Sequence, residues 1–362
     1  MGMRNVMLEK IENFRDLGGY ACDYGETSFG VIYRSATIAY ASDADKAKIR
    51  SLGIKTIIDL REEKTKEALP CPFKGEEGIT LLELPVNGNG RIATHYEDYV
   101  ASYLEMLEDP ASARRVLLSI LHAEKPALIH CNAGKDRTGV FSMILLLAAG
   151  VAFDEVNADY MASFPLLSRM TKDTRENHPE VPELLLTPDI RFLRDVYDEF
   201  LRRYSSIDHY FEMMGLSDDE AFSLKNLLGK QEKSCGAVVF RDGKVLVEHM
   251  AQGHYSIPKG HVEDIDADEY ATARREIKEE TGLEVERFLP GFRKSITYSP
   301  KPGVSKCVTF FIAIAKPGEL HLQKEEVQDA YFLSPADAYI TLSHDSDRRL
   351  VGEASYFEDK NN

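Results

Sequence analysis

The chain has 362 residues, 43% of them hydrophobic and 29% charged, with a net charge of −16 and a pI near 5.2. That composition supports an ordinary soluble core, and the length suggests about two or three domains. The acidic balance speaks against nucleic acid as a partner, because it repels a phosphate backbone. The longest apolar run, VFSMILLLAAGVAF (140–153), is too short for a membrane span and reads as a buried helix. At the N-terminus, MGMRNVMLEK has no apolar segment of the kind that makes a secretory signal. Further on, IKTIIDLR (54–61) reads as a buried strand and HYEDYVASYLEMLEDPASARRVLLSILHAE as helix. PALIHCNAGKDRTGVFSMILLLAAG reads as a strand, a glycine-containing loop and an apolar helix. This alternation predicts an α/β fold with a central, mostly parallel sheet flanked by helices.

Residues 185 to 229 are mostly helical in pattern, with Ser217 as a cap ahead of an acidic first turn. Near Lys233 the character changes. CGAVVFRDGKVLVEHM alternates about an Asp-Gly turn and reads as a hairpin, and CVTFFIAIAKPGELHL reads as two more strands. The strongly helical segment between them is ADEYATARREIKEETG, and SHDSDRRLVGEASYFEDKNN ends the chain as a weak helix and a polar tail. A boundary at about residue 230 therefore separates an α/β domain, 1–230, from an α+β domain, 231–362, built as a mixed sheet with one prominent helix. The five cysteines (Cys22, Cys71, Cys131, Cys235 and Cys307) are scattered and form no CxxC pair. That argues against a disulfide framework or a zinc knuckle, and a cytoplasmic location is the simplest expectation.

The first chemical signal is HCNAGKDRTG (130–139). Cys131, Gly134, Arg137 and Gly139 share one turn between a strand and a helix. Glycine lets backbone N–H groups face an anion, and the helix N-terminus adds positive potential there. A cysteine in such a place becomes a thiolate nucleophile. Arg137 can fork onto two phosphoryl oxygens, Lys135 adds a cation, and Thr138 offers a hydroxyl to the departing thiolate. The remaining loop residues, Asn132, Ala133 and Asp136, contribute amides to the same cradle.

This loop resembles the active-site loop of cysteine-dependent tyrosine and dual-specificity phosphatases, in particular the bacterial tyrosine phosphatases that carry GKDRTG. NFRDLGGY (13–20), YRSA (33–36), IIDLREEKTKE (57–67) and YSSIDHYFEMMGLSDDE (204–220) fit the same group, and the resemblance covers about residues 8 to 229. It implies a phosphocysteine mechanism without a cofactor, acting on a phosphorylated protein or a small phosphomonoester. It also implies a general acid, carried to Asp59 of DLR, with Asp136 as the rival. Asp16 and Arg34 read as structural. Lys135 beside Asp136 also suggests substrates beyond phosphotyrosine.

The second signal is PKGHVEDIDADEYATARREIKEETGLE (258–284). Glu276, Glu279 and Glu280 fall at i, i+3 and i+4, on one helix face, where three carboxylates repel unless a cation compensates. Hard oxygen ligands suit Mg²⁺ or Mn²⁺. The stretch resembles the Nudix box. The resemblance implies Glu276, Glu279 and Glu280 as metal ligands with Gly260 beside them, Glu279 with a catalytic part, and Arg275 as their support. One residue too many separates Gly260 from Arg275, so Asp266 or Glu269 replaces the box glutamate. SCGAVVF, YSIPKGHVE and GFRKSITYSPKPGVSKCVTFFIA look like the asymmetrical dinucleoside-tetraphosphate hydrolases, over about residues 233 to 340. Lys259, Lys301 and Lys306 are then candidate phosphate contacts, Tyr298 a base-stacking residue, and Glu325 or Glu326 a general base. The expectation is a bifunctional hydrolase of phosphomonoesters and nucleoside polyphosphates. The alternative is one catalytic domain beside a ligand-sensing one.

Overall fold

The computed structural model describes residues 4–86, 95–187 and 189–361. Contacts divide the chain into two compact units, Met1–Gln231 with Tyr298–Ser305, and Glu232–Thr297 with Lys306–Asn362.

The first unit holds a five-stranded sheet of β1 (Arg15–Asp16), β2 (Ile32–Ser35), β3 (Thr56–Asp59), β4 (Thr80–Glu83) and β5 (Ala127–His130), in the order β1-β2-β5-β3-β4. The pairs β2/β5, β5/β3 and β3/β4 are parallel, and β1 is antiparallel to β2. Ile32, Ile58 and Ile129 join one apolar cluster, while their neighbours Tyr33, Ile57 and Leu128 join another. Successive strand residues thus feed opposite faces, and both faces are covered. The expected long helix is two, α1 (Tyr96–Glu108) and α2 (Pro110–His122). Asp109 breaks it by accepting from Ala111 N, with Pro110 at the first helical position, where its missing N–H costs nothing. Strand β5 is central, so the loop after it emerges at the carboxyl end of the sheet and feeds α3 (Arg137–Ala148), of which nearly every residue is buried. Helix α4 (Phe153–Met161) follows. Ser217 caps its helix as expected, in a reciprocal pair with Glu220.

The second unit is built on the helix α5 (Glu269–Thr281) and on strands of an eight-stranded sheet. Its hairpin joins β6 (Lys230–Arg241) to β7 (Lys244–Met250), with Phe240 opposite Val245. The turn residues Asp242 and Gly243 both have positive φ, at 51° and 69°, which an Asp-Gly pair tolerates. Short strands β8 (Tyr255–Ser256) and β9 (Lys259–His261) lead toward α5, and β10 (Val304–Ala315) and β11 (Val327–Leu333) complete what positions the site. Ala273 and Ile277 of α5 pack on Cys235, Ala237, Val239, Phe311 and Ala313. Two expectations are corrected. GELHL forms no strand, since β10 ends at Ala315. The C-terminal segment is a 17-residue helix, α6 (Asp345–Asn361), held by the buried side chains of Leu350, Val351 and Ala354 on one face. All five cysteines are free, and among the described residues no helix is long and apolar enough to cross a membrane.

Candidate active sites

Cys131 lies at the end of β5, with 2% of its surface exposed. The shape of its loop follows from where the loop carbonyls go. Thr37 N donates to Asn132 O at 2.7 Å, Asn13 Nδ2 to Ala133 O at 2.9 Å, and Arg34 Nη2 to Gly134 O at 2.7 Å. In a trans peptide the N–H points opposite to the carbonyl. The amides of Ala133, Gly134 and Lys135 therefore turn to the other side, and among the described residues none of them donates to a protein acceptor. Gly134 makes this possible. Its φ is +66°, and a Cβ there would lie 2.0 Å from Ser35 O.

Arg34 is itself held from behind. Its Nη1 donates to Asp159 Oδ2 at 2.6 Å, while Arg15 Nε donates to Asp159 Oδ1 at 2.7 Å. Tyr20 Oη adds a third donor at 3.0 Å. All of these side chains are buried. Burial alone would raise the Asp159 pKa, but the two guanidiniums outweigh it and bring it down to about 2. Burial, with Arg15 close by, lowers Arg34 to about 10. Arg34 also stands near enough to Cys131 to be electrostatically linked to it. Asp16, as expected, is structural and accepts from the amides of Gly18 and Gly30.

The two candidate acids differ in setting. Asp59 is fully buried at the end of β3, and Arg61 Nη2 and Nε grip it at 2.6 and 2.9 Å. Burial is outweighed by Arg61 and then His130, and the carboxyl sits below its ordinary range. Asp136 keeps a third of its side chain exposed. Its Oδ1 accepts from Tyr99 Oη at 2.7 Å and from Tyr103 Oη at 2.5 Å. Here burial is outweighed by Lys135, the two phenols and Arg137, and the carboxyl is again depressed. The Lys135 ammonium is engaged, donating to Leu185 O at 2.8 Å. Among the described residues, Arg137 Nη1 reaches only Leu60 O, at 3.4 Å, a long contact. Thr138 Oγ1 is buried without a partner among the described residues, and a Cβ at Gly139 would meet Arg34 Nη2 at 3.4 Å.

In the second unit, α5 carries Glu276, Glu279 and Glu280 as the spacing predicted. Arg275 ties the first two together. Its Nη1 donates to Glu276 Oε1 and Glu279 Oε2, both at 2.9 Å, and its Nη2 to His261 O at 2.8 Å. Asp266, not Glu269, takes the place of the box glutamate, accepting from Arg275 Nη2 at 2.9 Å and Nε at 3.1 Å. Those bonds hold its carboxyl far below the usual range. Glu269 turns away to Arg293, 2.8 Å off. The extra loop residue thus leaves the support of Arg275 in place. A Cβ at Gly260 would lie 2.0 Å from Glu276 Cδ, so only glycine lets that carboxylate rest on the chain.

Glu280 accepts from Lys259 N at 3.1 Å, and burial followed by the charge of Glu248 raises its pKa. Glu248 on β7 is a site residue that sequence reasoning missed. It is fully buried, neither carboxylate oxygen has a hydrogen-bond partner among the described residues, and burial raises its pKa. The one signal was a carboxylate within the apolar run KVLVEHM. Glu326 acts electrostatically on Glu248 and Glu276, unlike Glu325. Lys259 Nζ is bound to Ser256 Oγ at 2.5 Å. Lys306 is near Lys259 and the glutamates, and burial lowers its pKa. Tyr298 and Lys301 lie on the strand Lys294–Lys301, which pairs with β10, and contacts group residues 298–305 with the first unit. Among the described residues, no three His, Cys, Asp or Glu side chains converge tightly enough to grip a metal ion as they stand. The donor set still suits a hard cation. Glu276, Glu279 and Glu280 share one face, and Glu248 is an orphaned buried carboxylate beside them.

Both arrangements suit cleavage at phosphorus, and the class they define is a hydrolase with two separate sites. Residues 6–230 match the tyrosine phosphatase family and residues 230–352 match the NUDIX domain. The chain belongs to the tyrosine phosphatase family and carries a NUDIX domain after it. It is 29% identical over 181 residues to a Cupriavidus necator protein provisionally described as a tyrosine-protein phosphatase, covering 45% of this chain and 64% of that one. It is 30% identical over 186 residues to the triple specificity protein phosphatase PtpB of Mycobacterium tuberculosis, covering 42% and 66%. Its C-terminal part is 30% identical over 115 residues to the asymmetrical bis(5'-nucleosyl)-tetraphosphatase of Rattus norvegicus, covering 27% of this chain and 76% of that one. The chain spans between 51% and 66% of the length of the curated tyrosine phosphatases it matches.

Proposed function

We propose that this chain is a bifunctional hydrolase. Its first site removes phosphate from phosphotyrosine or other phosphomonoesters, and its second cleaves dinucleoside polyphosphates. The observation that carries the first reading is the outward anchoring of three loop carbonyls, which leaves the amides of Ala133, Gly134 and Lys135 for an anion. The Cys131 sulfur attacks phosphorus, the S–P bond forms, and the P–O bond to the leaving group breaks. Arg137 leaves its contact with Leu60 O to bind the phosphoryl oxygens. Asp136 in its protonated form gives the proton to the leaving oxygen, and the resulting carboxylate takes one from the water that cleaves the S–P bond. Asp59 is the poorer candidate, because it is fully buried and gripped by Arg61. It positions Arg61, whose Nη1 donates to Thr37 Oγ1 at 3.1 Å, beside the Thr37 amide that anchors the loop.

For the second site, Glu276, Glu279 and Glu280 with the backbone at Gly260 would hold Mg²⁺ or Mn²⁺. A bound divalent ion neutralises the polyphosphate and makes water more acidic. Arg275, fixed by Asp266, keeps Glu276 and Glu279 in place, and Lys259 and Lys306 supply charge for the polyphosphate. The absence of a CxxC pair and the free thiols suit a cytoplasmic enzyme.

The test is a panel of phosphotyrosine peptide, phosphoinositide and dinucleoside tetraphosphate, assayed with Cys131→Ser and Glu280→Gln separately. We expect Cys131→Ser to abolish only the monoesterase, which chelator leaves intact, and Glu280→Gln to abolish only the metal-dependent reaction. Full monoesterase activity in Cys131→Ser would overturn the first assignment.

A further inference from the structure

Helix α1 presents Tyr96, Tyr99 and Tyr103 at i, i+3 and i+7, along one stripe. Tyr99 and Tyr103 are buried, yet their hydroxyls meet at Asp136 Oδ1. Tyr160 on α4 stands behind them, its Oη 3.1 Å from that of Tyr103. One ring fixes all three. Phe192 stacks on Tyr99 with centroids 4.2 Å apart and lies edge-on to Tyr103 at 4.8 Å and beside Tyr160 at 5.8 Å. A phenylalanine in place of either α1 tyrosine would fill the same space, so packing does not account for the hydroxyls.

We infer that Tyr99 and Tyr103 are positioning residues for Asp136, with Tyr160 extending the line of hydroxyls, and that together they set the pH range over which Asp136 moves its proton. This rests on the role proposed above for Asp136. The geometry gives Oδ1 to the phenols, while a third of the Asp136 side chain stays exposed. A carboxylate that accepts two O–H donors is stabilised in its charged form and fixed in rotation. The phenols stay protonated, because burial and then the neighbouring carboxylate raise both far above the usual tyrosine range. Among the described residues, the charged and titratable groups facing Asp136 are Lys135 and Arg137 from its own loop, Tyr99 and Tyr103 from α1, and Tyr160 from α4. Lys135 and Arg137 act in the same direction as the phenols, so removing one hydroxyl weakens the set without emptying it.

The test is the pH dependence of kcat for the full chain on an aryl phosphate with a poor leaving group. Asp136→Asn identifies the limb that Asp136 governs by removing it. Tyr103→Phe should shift that limb to higher pH by about one unit, the order expected for losing one hydrogen bond to a charged group. Tyr160→Phe should shift it less, because it acts through Tyr103. Tyr103→Phe in the Asp136→Asn background should shift nothing further. An unmoved limb in Tyr103→Phe, with the limb lost in Asp136→Asn, overturns the inference about the tyrosines alone. A limb that survives Asp136→Asn overturns the role of Asp136 itself. Should Tyr103→Phe fail to fold, Tyr99→Phe carries the same test, because its hydroxyl donates to the same oxygen.

Discussion

Replacing Asp159 with asparagine should loosen the active-site loop from a distance. Asp159 is buried between Arg15 and Arg34, and its pKa is lowered from 3.8 to about 2. A difference of about two units corresponds to roughly 2–3 kcal/mol of native-state stabilisation. The sign is that of a depressed carboxyl. The contribution is fully present above about pH 4 and is lost as the pH falls through about 2. The substitution does more than delete this, because it leaves two buried guanidiniums without their shared anion, at a cost of about 3–5 kcal/mol. For a domain of this size that amounts to a fall of roughly 10 °C in the unfolding temperature. Arg34 would also lose the partner that holds it in place to donate to Gly134 O. We therefore expect thermal unfolding of the first unit to move down by that amount and phosphomonoester turnover to fall at least tenfold. Hydrolysis of dinucleoside tetraphosphate by the same molecules is the internal control and should hold. Wild-type unfolding together with wild-type monoesterase activity would refute the reasoning.

Gly134→Ala should abolish phosphomonoester hydrolysis, since its Cβ would lie 2.0 Å from Ser35 O at a φ of +66°; kcat on p-nitrophenyl phosphate measures this. Gly260→Ala should silence the second site while sparing the first, because the added methyl displaces the Glu276 carboxylate. Calorimetric titration with Mn²⁺ should then show weakened binding. Asp266→Ala frees Arg275 from its two bonds and should lower the nucleotide-hydrolase kcat about tenfold to a hundredfold, the range for losing an outer-shell partner. Asp266→Glu should restore part of it.

Much of both sites was legible because each is local in the chain. The span from Cys131 to Arg137 is one strand end, one loop and one helix start, so its residue types suffice to suggest anion binding. Glu276, Glu279 and Glu280 lie on one helix, where periodicity alone aligns them. What was not legible is what reaches these places from far away. Asn13, Arg34 and Asp159 converge on the loop from three separate elements, and nothing in their local sequence marks the convergence. The rings of Tyr99 and Tyr103 are core, and nothing in their local sequence shows that their hydroxyls meet at Asp136. The split at Asp109 was readable from Asp-Pro, a capping pair, but the strong apolar pattern on either side masked it. The spacing of the glutamate box left Asp266 and Glu269 as equals, and only the folded loop shows which of them meets Arg275.

The anion cradle is made of main chain, and its anchors stand outside the loop. The residues at positions 132 and 133 thus add only their amides and carbonyls, and the Asn132 side chain faces solvent. Substitution at these positions would leave the carbonyl anchors in place. Side chains there can be exchanged to favour a peptide, a lipid headgroup or a sugar phosphate while the capacity to hold a phosphoryl group persists. A lineage could change what it dephosphorylates without rebuilding how it does so.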